Sequence, residues 1–261
     1  MSESETRTIE RRSGLSPDAF NEEYLLPRKP VILEDAISDW PAATRWTPDF
    51  FRETYGDRQV TIDDVEYALR DVIDLALASD DENPAPYYRN ISVQHDYPEL
   101  EADLLPTPGV YGKNWFESGI FTPLRKANVI AQGGEYELFI GGAGRAFPIL
   151  HYDAPGADTF LTQIYGEKRL IVFSPEDTEY LYPRSGSCFN LSEVNVEAPD
   201  LEAHPRYTEA TPLIADLKAG DIVFMPYGWW HTAKMLSFSI TVGIDVANGL
   251  NWPHIVDFLG R

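Results

Sequence analysis

From about Asn128 onward the chain is a succession of short runs rich in Val, Ile, Phe and Thr: ANVIAQ, EYELFIG, the stretch around His151, DTFLTQIYG, KRLIVFS, DIVFMP and SFSITVGIDVA. β-Branched and aromatic residues suit a pleated, half-buried surface, and the Gly, Pro and Asp residues that bound each run end it. No long helical pattern alternates with these runs, which argues against a doubly wound parallel sheet. Closely spaced strands without crossover helices predict a sandwich or barrel. At 261 residues there is room for one such core with helices packed outside it.

The first half supplies those helices. The charged opening is aperiodic and reads as a mobile tail through residue 12. Ser16-Pro17-Asp18 then caps a short helix reaching about Leu25, because Ser accepts from the first free amides and Pro suits the first helical position. A strand over Pro30 to Leu33 follows, and Thr47-Pro48 opens a helix carrying Phe50, Phe51 and Tyr55. RQVTI (58–62) alternates like a strand, and from Asp64 the spacing of Val65, Leu69, Val72, Ile73 and Ala76 predicts a further helix. DDENPAP is a loop leading to a strand over 87–91. The predicted organisation is a tail (1–12), flanking helices and strands (13–126), a β core (127–250) and a closing helix (251–261), all one domain. Residues 183–212 form a long loop, and Trp252, Ile255, Val256 and Leu259 give the last helix an apolar face that docks on the body or on a second copy.

Acidic residues outnumber basic ones 42 to 21, a net charge of −21. Such a field repels a nucleic-acid backbone or an anionic membrane and suits a basic peptide partner, a saline cytoplasm or plain solubility. The one cysteine, Cys188, leaves no internal disulfide and no cysteine-based zinc cluster. A polar start and the lack of a long apolar run predict a soluble, cytoplasmic protein.

Two local signals carry chemistry. In His151-Tyr152-Asp153 an extended backbone projects the imidazole and the carboxylate to one side. Alone this spacing is common by chance. The second signal is Gly220-Asp221-Ile222-Val223-Phe224-Met225-Pro226 followed by Tyr227-Gly228-Trp229-Trp230-His231, a strand, its closure and a histidine at the next strand's start. Together His151, Asp153 and His231 offer two imidazoles and a carboxylate, a set that suits non-haem Fe(II) with open positions and equally a catalytic zinc. Lys168 shares a strand face with Leu170 and Val172. If that face points inward the ammonium needs an anion, since burying a lone cation is costly; if it points outward Lys168 is solvated. Alternation leaves both open.

These residues resemble the JmjC and cupin-like Fe(II)/2-oxoglutarate oxygenases, most nearly the asparaginyl-hydroxylase type. The resemblance runs from Arg28-Lys29-Pro30-Val31-Ile32-Leu33 and Asp39-Trp40-Pro41 through Tyr87-Tyr88-Arg89-Asn90. It is densest in HYDAPGADTFLTQIYGEKRLIVFSPED and GDIVFMPYGWWH. It implies a mainly β fold with flanking α-helices, a double-stranded β-helix of the jelly-roll type, with iron held by His151, Asp153 and His231. It further implies 2-oxoglutarate gripped by Lys168, with Tyr88 (or Tyr87) and Thr159 near the cosubstrate, and O2 as the oxidant. The chain departs from the family where Phe147-Pro148-Ile149-Leu150 replaces a hydroxyl-bearing residue and where Gly243 or Ile244 replaces an Asn. The long dimerisation region is reduced to one helix, which implies a monomer or weak homodimer.

The resulting expectation is hydroxylation of a side chain in a peptide or protein, with 2-oxoglutarate decarboxylated to succinate. The alternatives are hydroxylation of a free amino acid or small metabolite, a non-catalytic cupin that binds without turnover, and a zinc hydrolase. Trp229, Trp230, Tyr152 and Phe160 are candidate pocket walls, and Arg145 and Lys234 a candidate cationic entrance. His95, His204 and His254 lack partners at ligand spacing.

Overall fold

The strand Asp158–Tyr165 is buried along both faces except at half-buried Leu161 and exposed Tyr165, and it sits in the interior of the larger of two facing sheets. The computed structural model describes residues 7–34, 36–119 and 134–260. In chain order the strands are β1 (Glu10–Ser13), β2 (Val31–Glu34), β3 (Gln59–Ile62), β4 (Val65–Ala68), β5 (Tyr88–Ser92), β6 (Tyr136–Gly141), β7 (Asp158–Tyr165), β8 (Lys168–Phe173), β9 (Leu213–Leu217), β10 (Ile222–Met225), β11 (Trp230–Met235) and β12 (Ser239–Val246). The larger sheet runs β1-β2-β10-β7-β12-β6-β5 and the smaller β11-β8-β9. All pairings are antiparallel except β1 with β2. This is the jelly-roll double-stranded β-helix with helices outside it.

The two faces of the larger sheet do different work. One packs Phe160, Phe224, Leu138, Ile140 and Val242 against helical residues Phe20, Phe51, Leu69, Val72 and Ile73. Towards the smaller sheet, Ile32, Val223 and Met225 meet Leu170, Val172, Ala215 and Leu217. Both clusters are apolar and close-packed, so the sandwich is rigid on either side of the space between the sheets.

Several expectations need correction. Residues Glu10–Arg12, assigned to the tail, belong to β1; Ile9 is buried in the inter-sheet core, while Arg11 is held by Glu34 and Asp221. Charged residues conceal this strand because ion pairs, not apolar alternation, satisfy it. The helix predicted from Asp64 begins at Leu69. Asp63 and Asp64 both adopt positive φ, which turns the β3–β4 hairpin with the twist that two-residue turns require. β9 (LIADL) is a strand inside what composition suggests is loop-flanking sequence. ANVIAQ lies outside the described residues. In the closing helix (Trp252–Leu259) Ile255 is fully buried and Phe258 packs on Phe189, whereas Val256 and Leu259 are exposed, so the docked face is rotated from the predicted one.

Candidate functional site

His151 and His231 are joined backbone to backbone. The His151 amide donates to the His231 carbonyl (3.1 Å) and the His231 amide to that of His151 (2.6 Å). Directly paired antiparallel residues project to the same face, so both rings point into the space between the sheets, with centroids 4.5 Å apart. Asp153 completes the group: its Oδ1 is 3.6 Å from His151 Nε2 and its Oδ2 is 3.6 Å from His231 Nε2. The three ligand atoms lie within 4.8 Å of one another. Each imidazole also directs Nδ1 at a carbonyl, His151 at Ile149 (2.9 Å) and His231 at Trp229 (3.1 Å). Those contacts place the proton on Nδ1 and leave the Nε2 lone pairs facing the carboxylate, the arrangement a divalent metal uses. Burial holds His231 below the ordinary histidine range against the pull of Asp153. Burial also pushes Asp153 upward, but the facing imidazoles of His231 and His151, with the Thr159 hydroxyl, outweigh it and hold the carboxyl below its usual range.

These groups open on a cavity of about 290 Å³ between the sheets. Its lining follows strand alternation. Glu137 and Phe139 come from β6, Thr159 and Leu161 from β7, and Thr241, Gly243 and Asp245 from β12, with Lys168 and His231 from the smaller sheet. Lys168 therefore faces inward and is 4 % exposed. Its Nζ donates to Thr241 Oγ1 (2.7 Å), which donates to Gln163 Oε1 (2.9 Å). Among the described residues no carboxylate pairs with this ammonium, and burial pushes its pKa down to about 7. A buried cation met by a hydroxyl and, 5.9 Å away, the face of the Phe139 ring, with no carboxylate among the described residues, is a receptor for an anion.

The other anticipated residues divide. Thr159 lies in the cavity, but its Oγ1 is 2.6 Å from Asp153 Oδ2 and 2.7 Å from Asp245 Oδ1, so it braces the carboxylate of the candidate ligand. One hydroxyl proton cannot serve two acceptors. Burial, then the charges of Asp153 and Glu137, raise Asp245 well above the carboxylate range, which favours the form in which Asp245 donates to Thr159 while Thr159 donates to Asp153. Tyr88 is turned away from the cavity: it is buried in the helix-side core with its hydroxyl 3.0 Å from that of Tyr97. Tyr87 lines the cavity instead.

Phe160, Trp230, Tyr152 and Trp229 are core residues rather than walls. Arg145 and Lys234 form no entrance to this cavity. Arg145 lies near Asp63 and Lys234 is clasped by Asp81 and Glu197. Phe147, the first residue of the Phe147–Leu150 stretch, stacks on the His151 ring at 4.6 Å. The remaining histidines stand apart from the metal group, with His95 on the rim 3.3 Å from Glu135.

Sequence reasoning missed Glu135, Glu137, Thr241, Asp245 and Asn190. Asp245 and Glu137 had a readable signal: each is an acid at an inward position of a strand whose neighbours are apolar or small. Asn190 had none. It comes from the 183–212 loop, which is stitched to the ligand segment by Tyr152 N to Asn190 O (3.1 Å), Asn190 Nδ2 to Tyr152 O (2.9 Å) and Ser192 N to Leu150 O (2.9 Å).

A family model described as the cupin-like domain matches residues 17–244, nearly the whole described chain. This chain belongs to the cupin-like domain family. Curated relatives of this cupin-like chain include "Lysine-specific demethylase 8" of Xenopus tropicalis, 29 % identical over 87 % of the chain and 50 % of the relative. They also include "tRNA wybutosine-synthesizing protein 5" of Homo sapiens, 26 % identical over 95 % of the chain and 78 % of the relative. A third is "Arginine-specific demethylase JMJ22" of Arabidopsis thaliana, 24 % identical over 97 % of the chain and 49 % of the relative. The chain thus spans about half the length of the demethylases it matches. For JmjC-type members of the family the His–Asp–His centre goes with Fe(II), 2-oxoglutarate and O2. A relative named for tRNA means that kinship does not carry the exclusion of nucleic acid that the charge balance suggests. Among the described residues no helix is long and apolar enough to cross a membrane.

Proposed function

We propose that this cupin-like protein is an Fe(II)- and 2-oxoglutarate-dependent oxygenase that hydroxylates a side chain of a peptide or protein, as in the asparaginyl-hydroxylase type that its motifs resemble. The observation that carries this reading is the buried Lys168, with no carboxylate partner among the described residues, in the same cavity as His151, Asp153 and His231. A zinc hydrolase has no use for such a lysine, whereas a keto diacid reaching from the metal does. His151, Asp153 and His231 hold the iron, and Lys168 with Thr241 receives the distal carboxylate. When bound, the metal couples O2 reduction and decarboxylation of 2-oxoglutarate to insertion of an oxygen atom into a C–H bond. The chain's own part is placement: it fixes both imidazole tautomers, braces Asp153 through Thr159 and seals the lysine end with Gln163 and Thr241 away from water.

The test supplies Fe(II), ascorbate and 2-oxoglutarate and measures succinate, then screens peptides for the mass gain of one oxygen atom. Succinate is the expected product; activity with zinc that ignores 2-oxoglutarate would overturn the reading. Thr159→Val should weaken iron retention about 10–100-fold, the usual cost of losing a group that orients a ligand, measured by competition with a chelator. Unchanged retention would mean that Asp153 needs no brace.

A further inference from the structure

Three ligands need two junctions. The first, between His151 and His231, is their reciprocal amide–carbonyl pair. The second, between His151 and Asp153, passes through Tyr152, which lies outside the named strands. Strand-like pairing ends at His151, which bridges His231 on one side and Leu191 on the other. Asp153 lies beyond that rung, its carbonyl accepting from the Gly156 amide (3.2 Å) in a turn. Turns are the more mobile parts of a chain, so a further restraint decides how firmly the Asp153 arm is held.

Asn190 supplies that restraint. Its backbone carbonyl accepts from the Tyr152 amide (3.1 Å), and its side-chain Nδ2 donates to the Tyr152 carbonyl (2.9 Å). The Tyr152 N–H belongs to the peptide unit shared with His151, and the Tyr152 C=O to the unit shared with Asp153. Peptide units are planar, so the only soft torsions between these two planes are φ and ψ of Tyr152. One residue therefore grips both planes and fixes the angle between the two ligands. The side-chain bond has one direction, because a backbone carbonyl only accepts and the amide nitrogen has to face it. Asn190 is buried and lines the cavity, 38 residues along the chain from the peptide it holds. The grip is itself anchored. Residues 181–194 form a hairpin closed by Arg184 N to Leu191 O (2.8 Å), Glu193 N to Tyr182 O (2.9 Å) and Ser192 Oγ to Leu181 O (2.5 Å). A further bond, Ser192 N to Leu150 O (2.9 Å), ties this hairpin to the ligand segment.

We propose that Asn190 is a positioning residue of the metal centre: by clasping both peptide units of Tyr152 it sets the mutual placement of His151 and Asp153. The proposal rests on the reading of His151, Asp153 and His231 as metal ligands, and deepens it by naming what holds the Asp153 arm. It has a thermodynamic consequence. Coupling between two events is reciprocal, so a hairpin whose clasp strengthens metal binding is itself steadied by the metal to the same degree. Metal occupancy and the order of the 181–194 hairpin are then one linked equilibrium.

The test titrates the full chain with Mn(II) in the absence of oxygen and follows the free ion by its electron paramagnetic resonance signal. Asn190→Ala should bind Mn(II) about 10–100-fold more weakly than the parent, the usual cost of losing a group that orients a ligand. Asn190→Leu keeps the bulk and loses the donor, and should be as weak. Ser192→Ala controls for loosening: it loses two buried hydrogen bonds of the same hairpin, leaves both Asn190 contacts in place, and should bind Mn(II) as the parent does. The unmutated protein gives a reading that needs no variant to fold. Saturating Mn(II) should slow amide hydrogen exchange about tenfold or more in peptides spanning 150–153 and 181–194. The slowing should be smaller in the β3–β4 hairpin, none of whose residues lines the cavity. Parental affinity in Asn190→Ala or Asn190→Leu, an equal loss in Ser192→Ala, or hairpin exchange that ignores Mn(II) would overturn the proposal. Failure of the underlying reading looks different: the parent itself would take up no Mn(II).

Discussion

His151→Ala yields a folded protein that no longer develops the weak visible charge-transfer band on anaerobic addition of Fe(II) and 2-oxoglutarate. Its succinate formation drops by more than about a hundredfold. Loss of a group that merely orients a metal ligand costs 10–100-fold, so loss of one of three proposed ligands exceeds that. The fold survives because residue 151 is anchored by its backbone, through the reciprocal amide–carbonyl pair with His231, and that pair is indifferent to the side chain. Melting temperature therefore stays close to the parent's while the spectroscopic signal vanishes. A variant with the parental band would remove His151 from the metal centre and with it the facial arrangement of the three ligands.

That prediction was within reach of the sequence, and the reasons are specific. His151 and Asp153 are two apart on an extended segment, so alternation alone puts them on one side; His231 follows a strand whose end Pro226 marks. Inward-facing strand residues in the second half could be counted wherever the ladder is regular, which is why Lys168 could be placed on a face though not assigned to a side. Counting fails where the ladder is not regular. In β5, Tyr88 pairs with Ile140 and Ile91 with Leu138, three residues against two, and Asn90 has a positive φ. This bulge turns Tyr88 to the helix-side core, while Tyr87 and Asn90 reach the cavity. The paired aspartates at 63 and 64 hide a hairpin turn within a helical spacing in the same way. β1 and Asn190 depend on contacts distant in sequence, to Asp221 and Tyr152, which no local pattern encodes.

The lysine prediction tests electrostatics rather than geometry. Lys168→Met keeps most of the length of the side chain and removes its charge, so 2-oxoglutarate affinity should fall about thirtyfold or more, the usual cost of removing one member of a buried, hydrogen-bonded ion pair. Without cosubstrate the same variant should melt no lower than the parent, because the native ammonium is buried beside a hydroxyl and an aromatic ring with no carboxylate partner among the described residues. The pH dependence separates these effects. The folded pKa of about 7 lies below the ordinary lysine value of 10.5, so between those values the unfolded chain holds more protons than the native one. Stability of the free protein from this group therefore rises with pH across that window. Cosubstrate affinity runs the other way. A carboxylate at this end needs the protonated amine, so affinity falls as pH climbs above about 7, and binding at alkaline pH draws a proton from the buffer. Calorimetry in two buffers of different ionisation enthalpy should show that uptake in the parent and none in Lys168→Met. If the variant binds 2-oxoglutarate as tightly as the parent, the ammonium is not its receptor, and the carboxylate is held elsewhere in the cavity.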